Sequence, residues 1–173
     1  PLDGTCRYRV DMRDHAALPG LVEQVVREHG RLDAIVCNAA VQGFGAVADL
    51  SRQEWQDTID INLTAPFLLA QAAAPHLKRR RGVIVFVSSV HGVLAAPART
   101  AYAVTKAGLL AMARNMAADL SSDGVRAVAL VLGPFASPAL AEGASRFFPG
   151  CAAEDAIARF AAIQPLGRVG SAV

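Results

Sequence analysis

VIVFVSSVHGVLAAPARTAYAVTK, residues 83–106, places an apolar strand, a loop and the first turns of a helix in one run. Residues 83–87 are apolar at every position, as in a parallel strand covered by helices on both faces, where the alternation of a one-sided strand disappears. The run ends in two hydroxyls, Ser88 and Ser89, and open α/β sheets hold their ligands at the carboxyl ends of strands. Tyr102 and Lys106 follow four residues apart on a helical pattern. At that spacing the phenol and the ammonium project from one helix face about one turn apart. A tyrosine with the ordinary pKa of about 10 is a poor base at neutral pH, but a fixed cation favours the phenolate and lowers that value. Tyr102 would then move a proton near neutrality. Taken alone, the pair also describes an interfacial ring beside a lysine that carries its charge to solvent. Ser89, thirteen residues before Tyr102 at the end of an apolar strand, turns the balance towards a proton-transfer site.

Ser89, Tyr102 and Lys106, with twelve residues between the first two and three between the last two, resemble the signature of the short-chain dehydrogenase/reductase family. The resemblance implies that Ser89 orients a substrate oxygen and that Tyr102 exchanges its proton. It gives Lys106 the task of holding the nicotinamide ribose while lowering the tyrosine pKa. It runs from about Asp11 to Arg168. The fold it implies is α/β: a Rossmann-like doubly wound parallel sheet flanked by helices, one NAD(P)-binding domain over residues 1–173.

Composition narrows the class independently. A chain of 173 residues, 53% hydrophobic and 18% charged, has material for one domain with a sizeable core. Its 17 Lys and Arg against 15 Asp and Glu leave none of the asymmetry that marks a nucleic-acid partner. Cys6, Cys37 and Cys151 are odd in number and lack metal-type spacing. They are expected to be reduced packing residues of a cytoplasmic protein, with no metal site. No apolar run approaches the roughly 18 residues of a membrane span, and PLDGTCRYRV at the start lacks a signal peptide's apolar core.

Residues 6–10 form a strand candidate ending at Asp11, after which Leu18, Leu21, Val22, Val25 and Val26 recur at helical spacing up to Gly30. Asp11 by itself is a turn or helix-start residue; the resemblance implies that it contacts the cofactor's adenine. Residues 33–37, DAIVC, are the next buried strand and run into Asn38, Ala39 and Ala40. The family has Asn-Ala-Gly there, the Asn tying neighbouring strands and the small residues admitting the cofactor. Ala40 in place of Gly adds a methyl that resists positive φ.

Ser51 and Glu54 form a possible capping box, and Trp55, Ile59, Leu63, Phe67 and Ala70 fall on one helical face. Asn62 lies beside that face, with Pro66 four residues on to disturb the helical hydrogen bonds and free a carbonyl for water. The resemblance makes the Asn62 carbonyl a water site linking Lys106 to solvent. A buried Asn satisfied by neighbouring backbone is the equal alternative. Lys78, Arg79, Arg80 and Arg81 complement a helix C-terminus and need no nucleic acid. The helix of Tyr102 runs on to Leu120 with many small apolar residues, suited to a core or to the interface of a homodimer or homotetramer.

Residues 125–132, VRAVALVL, are a further strand leading to Gly133, Phe135 and Ser137. The family pattern of Pro-Gly, two or three residues, then Thr implies that this loop holds the nicotinamide, with Leu132 replacing the Pro and Ser137 the Thr. NAAVQG at 38–43 and SSVHG at 88–92 are similar to the 3-hydroxybutyrate dehydrogenases in particular. That likeness implies that Gln42, His91 and Arg99 hold a small carboxylate, the Arg through two hydrogen bonds. Without it, His91 is a loop residue and Arg99 a solvated helix-start charge.

No Gly-rich phosphate-binding turn occurs in the sequence, and the chain opens at what the resemblance makes the third strand. It is therefore expected to be an internal fragment without the first two strands and the last, inactive by itself. The expected reaction is NAD(P)-dependent interconversion of a secondary alcohol and a ketone. NAD and NADP are not distinguished, since the charge that selects between them follows the second strand. A dehydratase or epimerase of the extended kind, or a non-catalytic copy kept as an interaction partner, are the alternatives.

Overall fold

Parallel strands cannot be joined by a tight turn, so each passage between them needs a crossover long enough to hold a helix. The computed structural model, which describes residues 5–148 and 150–171, shows this at both steps. Helix α1 (Ala17–His29) precedes β1 (Ala34–Cys37). Helix α2 (Arg52–Ile59), a π turn (Asp60–Thr64) and α3 (Ala65–Lys78) then lead to β2 (Val83–Ser89). A 3₁₀ turn (Val90–Gly92), α4 (Thr100–Leu120) and a second 3₁₀ turn (Ser121–Asp123) lead to β3 (Arg126–Leu132). The sheet order is β1-β2-β3, and β1 and β2 are parallel with Ala34 opposite Val83 and Cys37 opposite Phe86. This is the expected Rossmann-like arrangement in incomplete form.

The chain divides into two units, one ending at Val131 and the other beginning at Leu132. In the second, α5 (Pro138–Phe147) packs on α6 (Ala153–Ala162). There Phe148 meets Phe160 edge-on at 5.5 Å.

In the first unit the core lies on β2. Ile84 and Phe86 are fully buried and join Ala73 and Leu77 of α3 and Leu109 and Ala113 of α4 in one cluster, the alanines letting the helices approach the sheet closely. Gly82 sets the spacing below the strands. A Cβ there would lie 2.6 Å from the Asp33 carbonyl oxygen, so only Gly admits the bonds that draw the strand starts together. These run from Val83 N–H to Asp33 O at 3.1 Å and from Arg126 N–H to Gly82 O at 3.0 Å. In the basic run, Lys78 pairs with Asp123 at 2.8 Å and Arg80 with Asp33 at 3.2 Å. Such half-exposed pairs contribute at most about 1 kcal/mol.

Three expectations are corrected. Residues 6–10 form no strand: a strand exists through its ladder, and no described strand lies beside them. Tyr8 instead fastens the segment to α1, donating to Glu28 at 2.5 Å with His29 Nε2 at 3.1 Å. Second, β1 is an edge strand in which only Cys37 is buried and Val36 is 60% exposed, and β2 is only half-buried at Val83, Val85 and Val87. Third, the apolar face expected from Trp55 to Ala70 does not continue through Phe67, which is 41% exposed. The Ser51–Glu54 capping box forms as expected. Beyond it, however, the π turn inserts extra rotation into the helix, so that Asn62, Ala65, Pro66 and Ala70 turn inward.

The outer face of β3 carries Val128 and Leu130, 41% and 46% exposed, and β1 leaves one sheet edge open. Exposed apolar strands of this kind promote self-association. The 173-residue chain is expected to sediment as associated species at micromolar concentration. The pair Val128→Lys and Leu130→Lys should shift it towards monomer without lowering the thermal midpoint.

Candidate active site

The two hydroxyls closing β2 point to different tasks. Ser88, 3% exposed, donates to the Lys106 carbonyl at 2.8 Å and so ties the strand end to α4. Ser89 accepts from His91 N–H at 3.2 Å, capping the 3₁₀ turn, and acts to lower the Tyr102 pKa. That turn packs directly on the α4 backbone: a Cβ on Gly92 would lie 2.9 Å from the Lys106 carbonyl carbon. Tyr102 and Lys106 stand in the first turns of α4, one turn apart as their spacing predicts.

Lys106 is buried, and its Nζ donates to the Val87 carbonyl at 2.7 Å. Nζ lies 5.4 Å from the centroid of the Tyr102 ring. Loss of solvent disfavours the ammonium and draws its pKa down to about 8. Tyr102 is pushed up from the ordinary tyrosine value, chiefly by burial, against the Ser89 hydrogen bond and the charge of Arg99, which both lower it. The expectation that Lys106 lowers the Tyr102 pKa is therefore not met here. Desolvation of the phenol dominates, and the ammonium is engaged by the Val87 carbonyl.

Asn62 is buried, with both ends of its amide on one residue: Oδ1 accepts from Val41 N–H at 2.8 Å and Nδ2 donates to Val41 O at 2.9 Å. Nδ2 also approaches Thr105 Oγ1 at 3.3 Å, and Thr105 donates to the Tyr102 carbonyl at 2.8 Å. A polar chain thus joins the 41–42 loop, the π turn and α4. The side chain of Asn62 is satisfied by backbone, while its carbonyl loses the N–H that Pro66 lacks. The side chain satisfied by neighbouring backbone is the reading the hydrogen bonds show. Thr105 and Phe44 escaped the sequence reading. A hydroxyl between Tyr102 and Lys106 in an otherwise apolar helix was the signal for Thr105.

His91 and Arg99 lie beside the Tyr102 ring, and Gln42 is bonded to Arg99. The 42–45 loop is held beside the start of α4 by a parallel bridge between Gly45 and Arg99 and by Gly45 N–H donating to Ala98 O at 3.1 Å. Arg99 is 6% exposed and not a solvated charge. Its guanidinium lies 3.9 Å from the Phe44 ring centroid and 5.4 Å from that of Tyr102, and donates to the side-chain and backbone oxygens of Gln42. The His91 ring stands edge-on to Tyr102 at 6.3 Å. Burial, and then the charge of Arg99, lower the His91 pKa.

Asp11, Ala39 and Ala40 meet on one open cleft of about 460 Å³, together with Arg9, Val10, Met12 and Ile61. Asp11 is half-exposed and paired with Arg13 at 2.8 Å. The Arg13 hydrogen bonds hold its carboxyl down at about 2. Ala40 bears no strain from replacing a Gly: Arg81 and Ala98 are the non-Gly residues with positive φ among those described. Asn38 is exposed at the end of the edge strand β1 and does not stand between two strands. Gly133, Phe135 and Ser137 belong to the second unit. Phe135 bridges to Gly170, and the Ser137 oxygen caps α5 by accepting from Leu140 N–H at 3.2 Å. Among the described residues no group of three His, Cys, Asp or Glu is placed to hold a metal ion. No described helix is long and apolar enough to cross a membrane.

The chain is similar to known proteins. The chain is 32% identical over 164 residues to the 3-oxoacyl-acyl-carrier-protein reductase of Thermotoga maritima, covering 94% of this chain and 63% of that protein. It is 34% identical over 163 residues to the inactive 2-(S)-hydroxypropyl-CoM dehydrogenase 2 of Xanthobacter autotrophicus, covering 93% and 69%. The carveol dehydrogenase of Mycobacterium avium, solved with NAD, superposes with a TM-score of 0.85 at 30% identity over 94% of this chain and 62% of its own. The ligand-free aldohexose dehydrogenase of Thermoplasma acidophilum, 22% identical with a TM-score of 0.89 over 97% and 68%, shows the same fold. The chain thus spans about two thirds of these proteins. The family model for short chain dehydrogenase matches residues 4–146, a range that takes in the whole surroundings of the Tyr102 phenol, and the chain belongs to that family.

Proposed function

We propose that this chain carries the catalytic centre of an NAD(P)-dependent oxidoreductase interconverting a secondary alcohol and a ketone. The observation that carries the reading is that Tyr102 stands one helical turn from Lys106, with the buried ammonium 5.4 Å from its ring and Ser89 at the end of the strand whose Val87 carbonyl holds that ammonium. Ser89 holds a fixed dipole where charge develops on the substrate oxygen, and costs no reorganisation during reaction. Tyr102 takes the proton from an alcohol or returns it to a ketone. Lys106, with its pKa drawn down to about 8, is able to exchange that proton near neutrality. The Asn62 carbonyl, without a donor from Pro66, would hold a water that leads it onward.

The residues fit a dinucleotide. Small side chains at Ala39 and Ala40 leave the Asp11 cleft open. Asp11, Asn38, Ala39 and Ala40 would hold the adenine end of NAD or NADP, and Tyr102 and Lys106 the nicotinamide ribose. The nicotinamide, when bound, supplies or accepts the hydride. A non-catalytic reading is favoured by one fact, that the Xanthobacter relative bears the name of an inactive enzyme; the intact Ser89, Tyr102 and Lys106 set speaks against it.

The polar wall of Gln42, His91 and Arg99 beside the phenol suits a substrate carboxylate, which a guanidinium binds with charge-assisted hydrogen bonds. In the full-length protein, Tyr102→Phe should lower kcat by about 10²–10⁴-fold and leave the nucleotide Kd nearly unchanged. A loss of only a few-fold removes Tyr102 from proton transfer, and a parent protein that neither binds nucleotide nor turns over supports the non-catalytic reading. For the carboxylate, KM for a short 3-hydroxy acid should lie about 10–100-fold below that for its methyl ester, as expected for a charged hydrogen bond. Equal values remove the carboxylate from the reading.

A further inference from the structure

Two cations flank the Tyr102 ring, not one. Lys106 Nζ and the Arg99 guanidinium carbon each lie 5.4 Å from its centroid. We propose that Arg99 is a positioning residue for Tyr102: seated on the Phe44 ring and tied to Gln42, its guanidinium is the permanent charge that stabilises the phenolate. The seat explains the fixed position. Arg99 begins α4 next to the bridge to Gly45, with Phe44 under the guanidinium at 3.9 Å, a contact favourable to a planar cation. At 6% exposure its field is little screened by solvent.

The two cations differ in permanence. A guanidinium keeps its proton at every pH a protein tolerates. The Lys106 ammonium, desolvated to a pKa of about 8, is lost at the alkaline values where a buried phenol would ionise. Arg99 then remains. The other groups facing Tyr102 supply no competing charge. His91 of the 3₁₀ turn has its pKa lowered and is neutral there. The carboxylates on the α2 and π-turn elements packed against α4 keep their charge but make their bonds at the exposed surface, where solvent screens them, Glu54 with Ser51, Asp57 with Gln53 and Asp60 with Gln56. A positive charge favours the phenolate, so its removal raises the phenol pKa.

The inference builds on the assignment of Tyr102 above, but its first test does not depend on catalysis. The chain has two tyrosines, and Tyr8 is pushed up to about 12, chiefly by its bond to Glu28. With Tyr8→Phe as background, tyrosinate absorbance follows Tyr102 alone, and circular dichroism confines the titration to folded protein. Arg99→Gln, and Arg99→Met as a second neutral variant that keeps the stem packed, should each raise the midpoint by about one pH unit or more. Arg99→Lys, whose ammonium in the same buried seat is lost where the phenol ionises, should rise with them. If neither neutral variant folds, Phe44→Leu, which unseats the guanidinium, should raise the midpoint in the same direction.

The second test is the pH profile of kcat/KM for oxidation of a neutral secondary alcohol by the full-length protein, where the limb that rises with phenolate should move up by the same amount. A merely structural role would scale the profile down without moving the limb. Neutral variants that titrate with the parent overturn the inference. A midpoint that moves while the limb stays leaves Arg99 in place as the phenol's charge partner and overturns instead the assignment of Tyr102 to proton transfer.

Discussion

Two hydrogen bonds join the end of β2 to α4, from the Ser88 hydroxyl to the Lys106 carbonyl and from the Lys106 ammonium to the Val87 carbonyl. Both ends of Lys106, backbone and side chain, are thereby fixed to one strand terminus. A buried ammonium is costly unless it is hydrogen-bonded, and a hydrogen bond to a charged group recovers about 1.5–3 kcal/mol. The strand carbonyl is therefore a condition for Lys106 to sit there at all. The joint also places Ser89 beside the phenol and presses the Gly92 turn onto the helix backbone. Everything around Tyr102 is measured from it.

Burial has opposite effects on the two partners of the Tyr-Lys pair. It lowers the lysine and raises the tyrosine, because each loses its charged form to desolvation. The gap between a phenol and an amine that differ in water by little is thus changed by the same removal of solvent. A second cation, held by an aromatic seat and a neutral amide, then becomes chemically significant. In the same way, Asn62 turns a helical irregularity into architecture. The π turn directs the amide at Val41, and Val41 adjoins Gln42, so that the distortion in one crossover positions the loop that holds Arg99.

Much of this was visible in the amino-acid order. The apolar run of residues 83–87, the Tyr102–Lys106 spacing, the Ser51–Glu54 box and the disturbance at Pro66 are local patterns, and local patterns survive in the structure because sterics and short-range hydrogen bonds enforce them. The strand expected at residues 6–10 did not survive, since a ladder is a relation between segments. Nor did the face through Phe67, since one π turn rotates all that follows it.

The sequence by itself determined the crossover rhythm, the strand that carries Ser89 and the helix that carries Tyr102 and Lys106, because alternation, capping and helical periodicity act over a few residues. Only the tertiary structure decided that Arg99 is buried against Phe44, that Thr105 and Asn62 link α4 to Val41, and that burial outweighs Ser89 and the charge of Arg99 in setting the phenol's pKa. Desolvation and through-space charge depend on which distant segments pack together, and no spacing along the chain records them.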